Sequence, residues 1–286
     1  MARMTSRALV LGGGGVTGIA WEIGMLHGLF AAGLDLSVAD LVVGTSAGSV
    51  VGAQVTNGAT TEALYSRQLA PVGTHGNDPT ATIRRAVTAR WIWSGLRAGN
   101  DLEALGRRLG TFAIRAAESG RLPSEEERVA VIRDRLVSQD WPARDLAITA
   151  VDAESGEFRT FRAADGVPLV LAVAASCAVP GVFPPVSIDG RRYIDGGTRS
   201  SANADLAASS DRVVALTPIA GAFPASRGAV AQLSAALGRT TVVAPDAQAR
   251  RAIGRNVLDP AARARTARAG FAQATASAAA IAEVWG

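Results

Sequence analysis

The chain has 286 residues, 48% hydrophobic and 19% charged, which excludes a disordered polymer and suits one large α/β domain with a sizeable core. All 29 basic residues are arginine, so a lysine-based phosphate loop and Schiff-base chemistry on a lysine are both excluded. A net charge of +4 gives no reason to expect nucleic acid, and the single cysteine, Cys177, excludes an intramolecular disulfide or a cysteine-cluster metal site.

Residues 8–11 read as a short buried strand. Gly12 to Gly15 follow, and a helical pattern runs over about 16–32, closed by Gly33. Residues 41–43 predict a second buried strand that turns at Gly44 into a helix over about 46–54. Short apolar runs joined by helices predict an α/β fold with a mostly parallel central sheet and helices on both faces. Residues 59–120 are helical in tendency, with a loop near 71–79 and no strand, and predict a helical insertion that walls or covers a site. Strands return at 146–149 and 158–161, then a buried helix at 167–177 and a proline-rich loop at 179–185. Asp189-Gly190 predicts a hairpin between 186–188 and 193–194. Further strands are expected at 213–216 and 241–243, and an alanine-rich helix from about residue 260.

No long repeat or linker interrupts this pattern, so a single domain over 7–286 is expected, with a basic helical segment from about residue 247. That segment has six arginines against two acids, while the rest of the chain balances. A solvated helix face is the plainer account of it, and attraction to an anionic lipid surface is the alternative. The uncharged stretch 167–188 contains Pro168, Pro180, Pro184 and Pro185, which a membrane-spanning helix would not tolerate together. No signal-peptide pattern is visible, and a cytoplasmic location is expected, with peripheral membrane contact as the secondary expectation.

Three motifs carry chemistry. Gly12 to Gly15, followed by Val16-Thr17-Gly18, lies between a strand and a helix, where backbone N–H groups and the helix dipole can hold a phosphate or an oxyanion. Gly13, Gly15 and Gly18 also fit a dinucleotide fingerprint, but that reading wants an acid at the end of the next strand, and Gly44-Thr45 stands there. Gly44-Thr45-Ser46-Ala47-Gly48 has the G-x-S-x-G pattern that puts a nucleophilic serine on a sharp strand-to-helix turn. A serine needs a base. The α/β-hydrolase order of serine, acid, then histidine cannot be met, because no histidine follows His75. The third motif, Tyr193-Ile194-Asp195-Gly196-Gly197, offers Asp195 at a strand end as a candidate base, with an ordinary Asp-Gly turn as the plainer account.

Together, and in this order, the three motifs resemble the patatin-like phospholipase family, and the stretch 174–186 is similar to that family's segment before its aspartate strand. The resemblance covers roughly 7–216, with 59–120 poorly matched. It implies a three-layer architecture and a lipid acyl hydrolase of phospholipase A or lysophospholipase type working without cofactor or metal. It further implies Ser46 as nucleophile, Asp195 as its base, and Gly13, Gly14 and Gly15 as the oxyanion glycines. The family often has Arg or Lys where Thr17 stands, so a positive charge is either missing there or supplied by another arginine. A lipid or other ester is the expected substrate; headgroup, chain length, the balance with acyl transfer and the oligomeric state stay open.

The competing readings are a dinucleotide-binding oxidoreductase using Gly13, Gly15 and Gly18, and a non-catalytic lipid-binding module. Neither His27 nor His75 is expected to be catalytic. Ser176 and Cys177 read as core or supporting residues. Trp91, Trp93, Leu96 and Phe112 either line an acyl pocket or pack the insertion, and Glu125 to Glu127 read as a charged helix start.

Overall fold

The computed structural model describes residues 5–74, 81–219, 221 and 224–286. In chain order the elements are β1 (Arg7–Leu11), α1 (Gly15–Ala31), β2 (Leu41–Gly44), α2 (Ala47–Thr56), α3 (Thr61–Leu69), α4 (Arg85–Ala98), α5 (Leu102–Glu118) and α6 (Glu125–Arg135). There follow β3 (Asp145–Asp152), β4 (Phe158–Phe161), α7 (Leu169–Ser176), β5 (Val186–Ile188), β6 (Arg191–Asp195), β7 (Arg212–Leu216), α8 (Ala229–Leu233), β8 (Arg239–Val243), α9 (Ala247–Ile253) and α10 (Arg263–Trp285).

The strands form one mixed sheet in the order β5-β6-β3-β2-β1-β7-β8, with β4 added to β3. The pairings among β3, β2, β1, β7 and β8 are parallel, and those of β4, β5 and β6 are antiparallel. Side chains alternate with the strand period. Leu9, Leu11, Val42, Leu146, Ile148 and Leu216 enter the larger core under the main helices. Ala8, Val10, Val43, Ala147, Val213 and Ala215 face the other side, where a thinner cover of short helical turns at 204–207 and α8 suits their small size. The expected two-sided cover is present but unequal.

α10 lies against α1 because both present small residues along the contact. A Cβ on Gly24 would stand 2.2 Å from the Ala267 carbonyl oxygen, and one on Gly270 would stand 2.4 Å from that of Trp21. The pair is locked by Trp21 Nε1, which donates to Gln273 Oε1 at 3.0 Å. α6 starts on a capping box: Ser124 Oγ accepts from Glu127 N–H and the Glu127 carboxylate accepts from Ser124 N–H. Asp189 and Gly190 both have positive φ, giving the tight β5–β6 turn. Among the described residues no helix is long and apolar enough to cross a membrane.

The registers explain how distant motifs meet. β1 and β2 run parallel with Leu11 opposite Gly44, so the glycine loop and the Ser46 turn leave the sheet side by side. Ile148 pairs with both Gly44 and Phe161, and Ala150 with both Arg159 and Asp195. β4 occupies one edge of β3, so β2 and β6 must share the other. They approach from opposite directions and end near the same point, which brings Asp195 to the Ser46 turn.

Candidate active site

Ser46 sits between β2 and α2 with φ 51° and ψ −114°, a conformation that side-chain-bearing residues rarely adopt. Its neighbours make the turn possible. A Cβ on Gly48 would lie 2.0 Å from the Leu11 carbonyl oxygen, and one on Gly44 2.6 Å from the Ser49 Cα. Hydrogen bonds then fix the strained peptide. Ser46 N–H donates to Ser176 Oγ at 2.9 Å, and its carbonyl accepts from Ser49 Oγ at 2.7 Å and from the Cys177 thiol at 3.3 Å. Ser176 and Cys177 are thus supporting groups. Burial pushes the Cys177 thiol up to about 11, which keeps it a donor.

Asp195 ends β6 and is 5% exposed, and the Ser46 side chain, itself 8% exposed, lies close enough to act on its carboxylate. Burial pushes its pKa up to about 6. The Ser46 hydroxyl, the Gly197 N–H, which donates to Oδ1 at 2.7 Å, and the Arg128 charge hold it down from a higher value. Arg128 is buried, stacks 3.8 Å from the Phe183 ring centroid, and flanks a small cavity with Ser46, Gly15 and Cys177.

The glycine loop faces the serine, and a Cβ on Gly13 would be 3.5 Å from that of Ser46. Gly13 N–H is already committed, donating to the Ser201 carbonyl at 2.7 Å. Gly14 and Gly15 stand next along the loop, at the positive end of α1. Thr17, where the family resemblance looks for a positive charge, is fully buried and points elsewhere: its N–H and hydroxyl both reach the Val257 carbonyl, at 3.0 and 3.3 Å. Arg128 is the buried cation near the serine.

Gly13, Gly14, Gly15, Ser46 and Asp195 all border a cavity of about 660 Å³. Its walls are mainly apolar, with Trp91, Leu96, Leu105, Leu109, Val179 and Leu258 among them, so α4 and α5 form one wall. Trp91 Nε1 donates to the Pro180 carbonyl at 3.0 Å, which fixes that wall. Phe112 instead packs outside the cavity over Gly181, and Trp93 faces solvent. His27 stacks with Tyr65 and Phe271 and has Nδ1 3.3 Å from Thr61 Oγ1; none of these lines the cavity. His75 lies outside the described residues.

Sequence reading missed a buried polar knot behind the site. Asn203 has φ 49°, and its Nδ2 donates to Thr45 Oγ1, Thr149 Oγ1 and the Ser200 carbonyl at 3.0, 3.3 and 2.9 Å. It ties the serine turn to β3 and the segment after Asp195. A lone asparagine among small residues carries no signal that could have revealed this. Glu22 was missed too. It is fully buried in α1, and neither carboxyl oxygen has a partner among the described residues; burial raises its pKa well above the ordinary range, against a weak opposing pull from Gly12 N–H, which already donates to the Leu216 carbonyl at 2.9 Å.

Of the six arginines of the basic C-terminal segment, five are exposed and one is buried. Arg263 is buried and donates to the Ala70 carbonyl at 3.0 Å, and Arg265 donates to that of Ala252 at 2.8 Å.

The molecule is thus an α/β protein with a serine on a strained strand-to-helix turn, beside a glycine loop on the wall of an apolar cavity. Residues 9–208 match the family model described as patatin-like phospholipase, and the chain belongs to that family. No curated protein matches it significantly. Among solved structures it is similar to VipD from Legionella pneumophila, at 16% identity and a TM-score of 0.36, over 68% of this chain and 46% of that one. It is also similar to the type III effector protein ExoU, at 17% identity and a TM-score of 0.36, over 94% of this chain and 53% of that one. The chain spans about half the length of these structures.

Proposed function

We propose that the chain is a serine acyl hydrolase of lipid esters, of phospholipase A or lysophospholipase type, acting through Ser46 and Asp195. The observation that carries this reading is that Ser46, on its strained turn, and the buried Asp195 both line the wall of one apolar cavity, with burial pushing the carboxylate up to about 6. An ordinary aspartate, near 4, is a weak base; burial brings this one closer to neutrality.

In the proposed reaction Ser46 Oγ attacks the ester carbonyl as its proton passes to Asp195. The tetrahedral oxyanion rests on the N–H groups of Gly14 and Gly15, while Gly13 anchors the loop through Ser201, and the α1 dipole adds to the stabilisation. Asp195 returns the proton to the leaving alcohol. Water, deprotonated by the same carboxylate, then releases the acid and restores Ser46. The apolar walls suit an acyl chain.

The test is reaction with a fluorophosphonate followed by peptide mapping. Label on Ser46 alone, abolished in Ser46→Ala, is expected. Label on Ser176 instead, or none on folded protein, overturns the assignment.

A further inference from the structure

We propose that the outer face of α4 is a docking surface for an anionic lipid bilayer, which the cavity mouth meets directly. The proposal rests on reading the cavity as a lipid-ester site, and adds where and how the protein meets its substrate phase.

Three side chains that line the cavity also face solvent: Ile92 at 59%, Leu96 at 63% and Ile219 at 44% exposed. Soluble surfaces seldom leave such residues together without a use. Trp93, beside Ile92 on the same helix, is 41% exposed and lies between two guanidinium groups, with Arg90 at 4.9 Å and Arg97 at 4.6 Å from its ring centroid. A tryptophan flanked by arginines suits the boundary between headgroups and acyl chains, where the ring enters the apolar layer and the cations stay with phosphate.

The charge is one-sided. Residues 81–100 contain Arg84, Arg85, Arg90 and Arg97 and no acid, and Arg84, Arg85 and Arg97 are exposed. The nearest acids along the chain, Asp101 and Glu103, are paired with Arg107 at 3.9 and 3.5 Å. Arg227, on the cavity wall, donates to the Gly99 carbonyl at 2.7 Å and joins the end of α4 to the opposite rim. An apolar rim ringed by arginine complements an anionic bilayer. A protein seated there would instead cover the entrance that the substrate must use. The C-terminal basic segment is the weaker candidate, since none of its arginines lines the cavity.

The experiment separates docking from chemistry. Binding is measured by flotation with the Ser46→Ala protein, so that no lipid is consumed. Vesicles are phosphatidylcholine alone, or phosphatidylcholine containing phosphatidylglycerol. Preference for the anionic vesicles, weakening with salt, is expected. Each exposed arginine near such a surface gives about a fivefold gain in partitioning, so Arg84→Gln/Arg85→Gln/Arg97→Gln should lose about a hundredfold at low salt. Ile92→Ser/Leu96→Ser should weaken binding to both vesicle types. Bromine-labelled acyl chains should quench the bound protein's fluorescence, and less so in Trp93→Phe. The arginine variant with Ser46 intact should hydrolyse a soluble short-chain ester at the parent rate, showing that it is folded. Equal flotation of parent, arginine and rim variants, with no quenching, overturns the docking surface even if Ser46 is labelled. Loss of flotation in the variants, with Ser46 unlabelled, leaves the surface standing and sinks the hydrolase instead.

Discussion

The backbone N–H of Ser46 donates to the hydroxyl of Ser176, 130 residues further along the chain, at 2.9 Å. That bond holds a serine whose dihedrals are unfavourable by about 1–3 kcal/mol when unsupported. Ser176→Ala leaves the N–H buried without its acceptor, at a cost of about 1–3 kcal/mol. The expected result is a folded protein whose rate of fluorophosphonate labelling falls about tenfold or more. An unchanged rate would show that the turn holds its shape without Ser176.

Activity should follow the ionisation of Asp195. The base form is needed, so kcat/KM for a soluble ester is expected to rise with pH and level off above about 6. Arg128 lowers that pKa, so Arg128→Met should move the rise to higher pH. A profile flat from pH 5 to 8 in the parent, or an unmoved midpoint in the variant, would remove Asp195 or Arg128 from these roles.

Asp195→Asn should lose nearly all turnover and gain stability at neutral pH. The folded pKa, about 6, lies above the ordinary aspartate value, so the stability this group permits is greatest below about 4 and falls as pH rises through about 6. Asn keeps an acceptor for Gly197 N–H and removes the charge, so unfolding at pH 7 should cost about 1–3 kcal/mol more. Glu22 has the same sign, its pKa also raised by burial, so Glu22→Gln should flatten the loss of stability between acid and neutral pH. Urea unfolding of both variants across that range tests the pair; parallel curves for parent and variants would contradict it.

Neither histidine should matter to turnover. His27 is engaged with Tyr65, Phe271 and Thr61, away from the cavity, and no histidine follows Asp195 in the chain. His27→Gln and His75→Gln, singly and together, are expected to stay within about threefold of the parent rate. A loss of several hundredfold in folded His75→Gln would reveal a triad.

Much of this was legible beforehand because it rests on local rules. Gly12 to Gly15 before a helix, the strained serine between Gly44 and Gly48, and the Asp189-Gly190 turn each follow from what glycine permits. Helices in the 59–120 segment were also foreseeable, although Trp91 and Phe112, equally apolar in sequence, turned out to face the cavity and the packing beyond it. Long-range geometry was not legible. Nothing local says that β2 and β6 share one edge of β3, that Asn203 ties Thr45 to Thr149, or that Gly13 N–H is taken by Ser201. The total charge of the C-terminal segment was readable, but not which arginine is buried: Arg263 is, because the carbonyl of Ala70 after α3 accepts from it.

The lock between Trp21 and Gln273 joins residues 252 positions apart, and it bears on the order in which the protein is made. Ribosomes deliver α1 and the Ser46 turn early, yet the groove that receives the small-residue face of α1 arrives only with α10. Until then the helix that aims the Gly14 and Gly15 amides is held mainly by the sheet, α2 and α3. Reactivity of Ser46 should therefore be a late event in biosynthesis. Nascent chains stalled before Arg263 should resist fluorophosphonate, and chains whose α10 has cleared the exit tunnel should react; equal labelling of both would show that the site matures without its last helix.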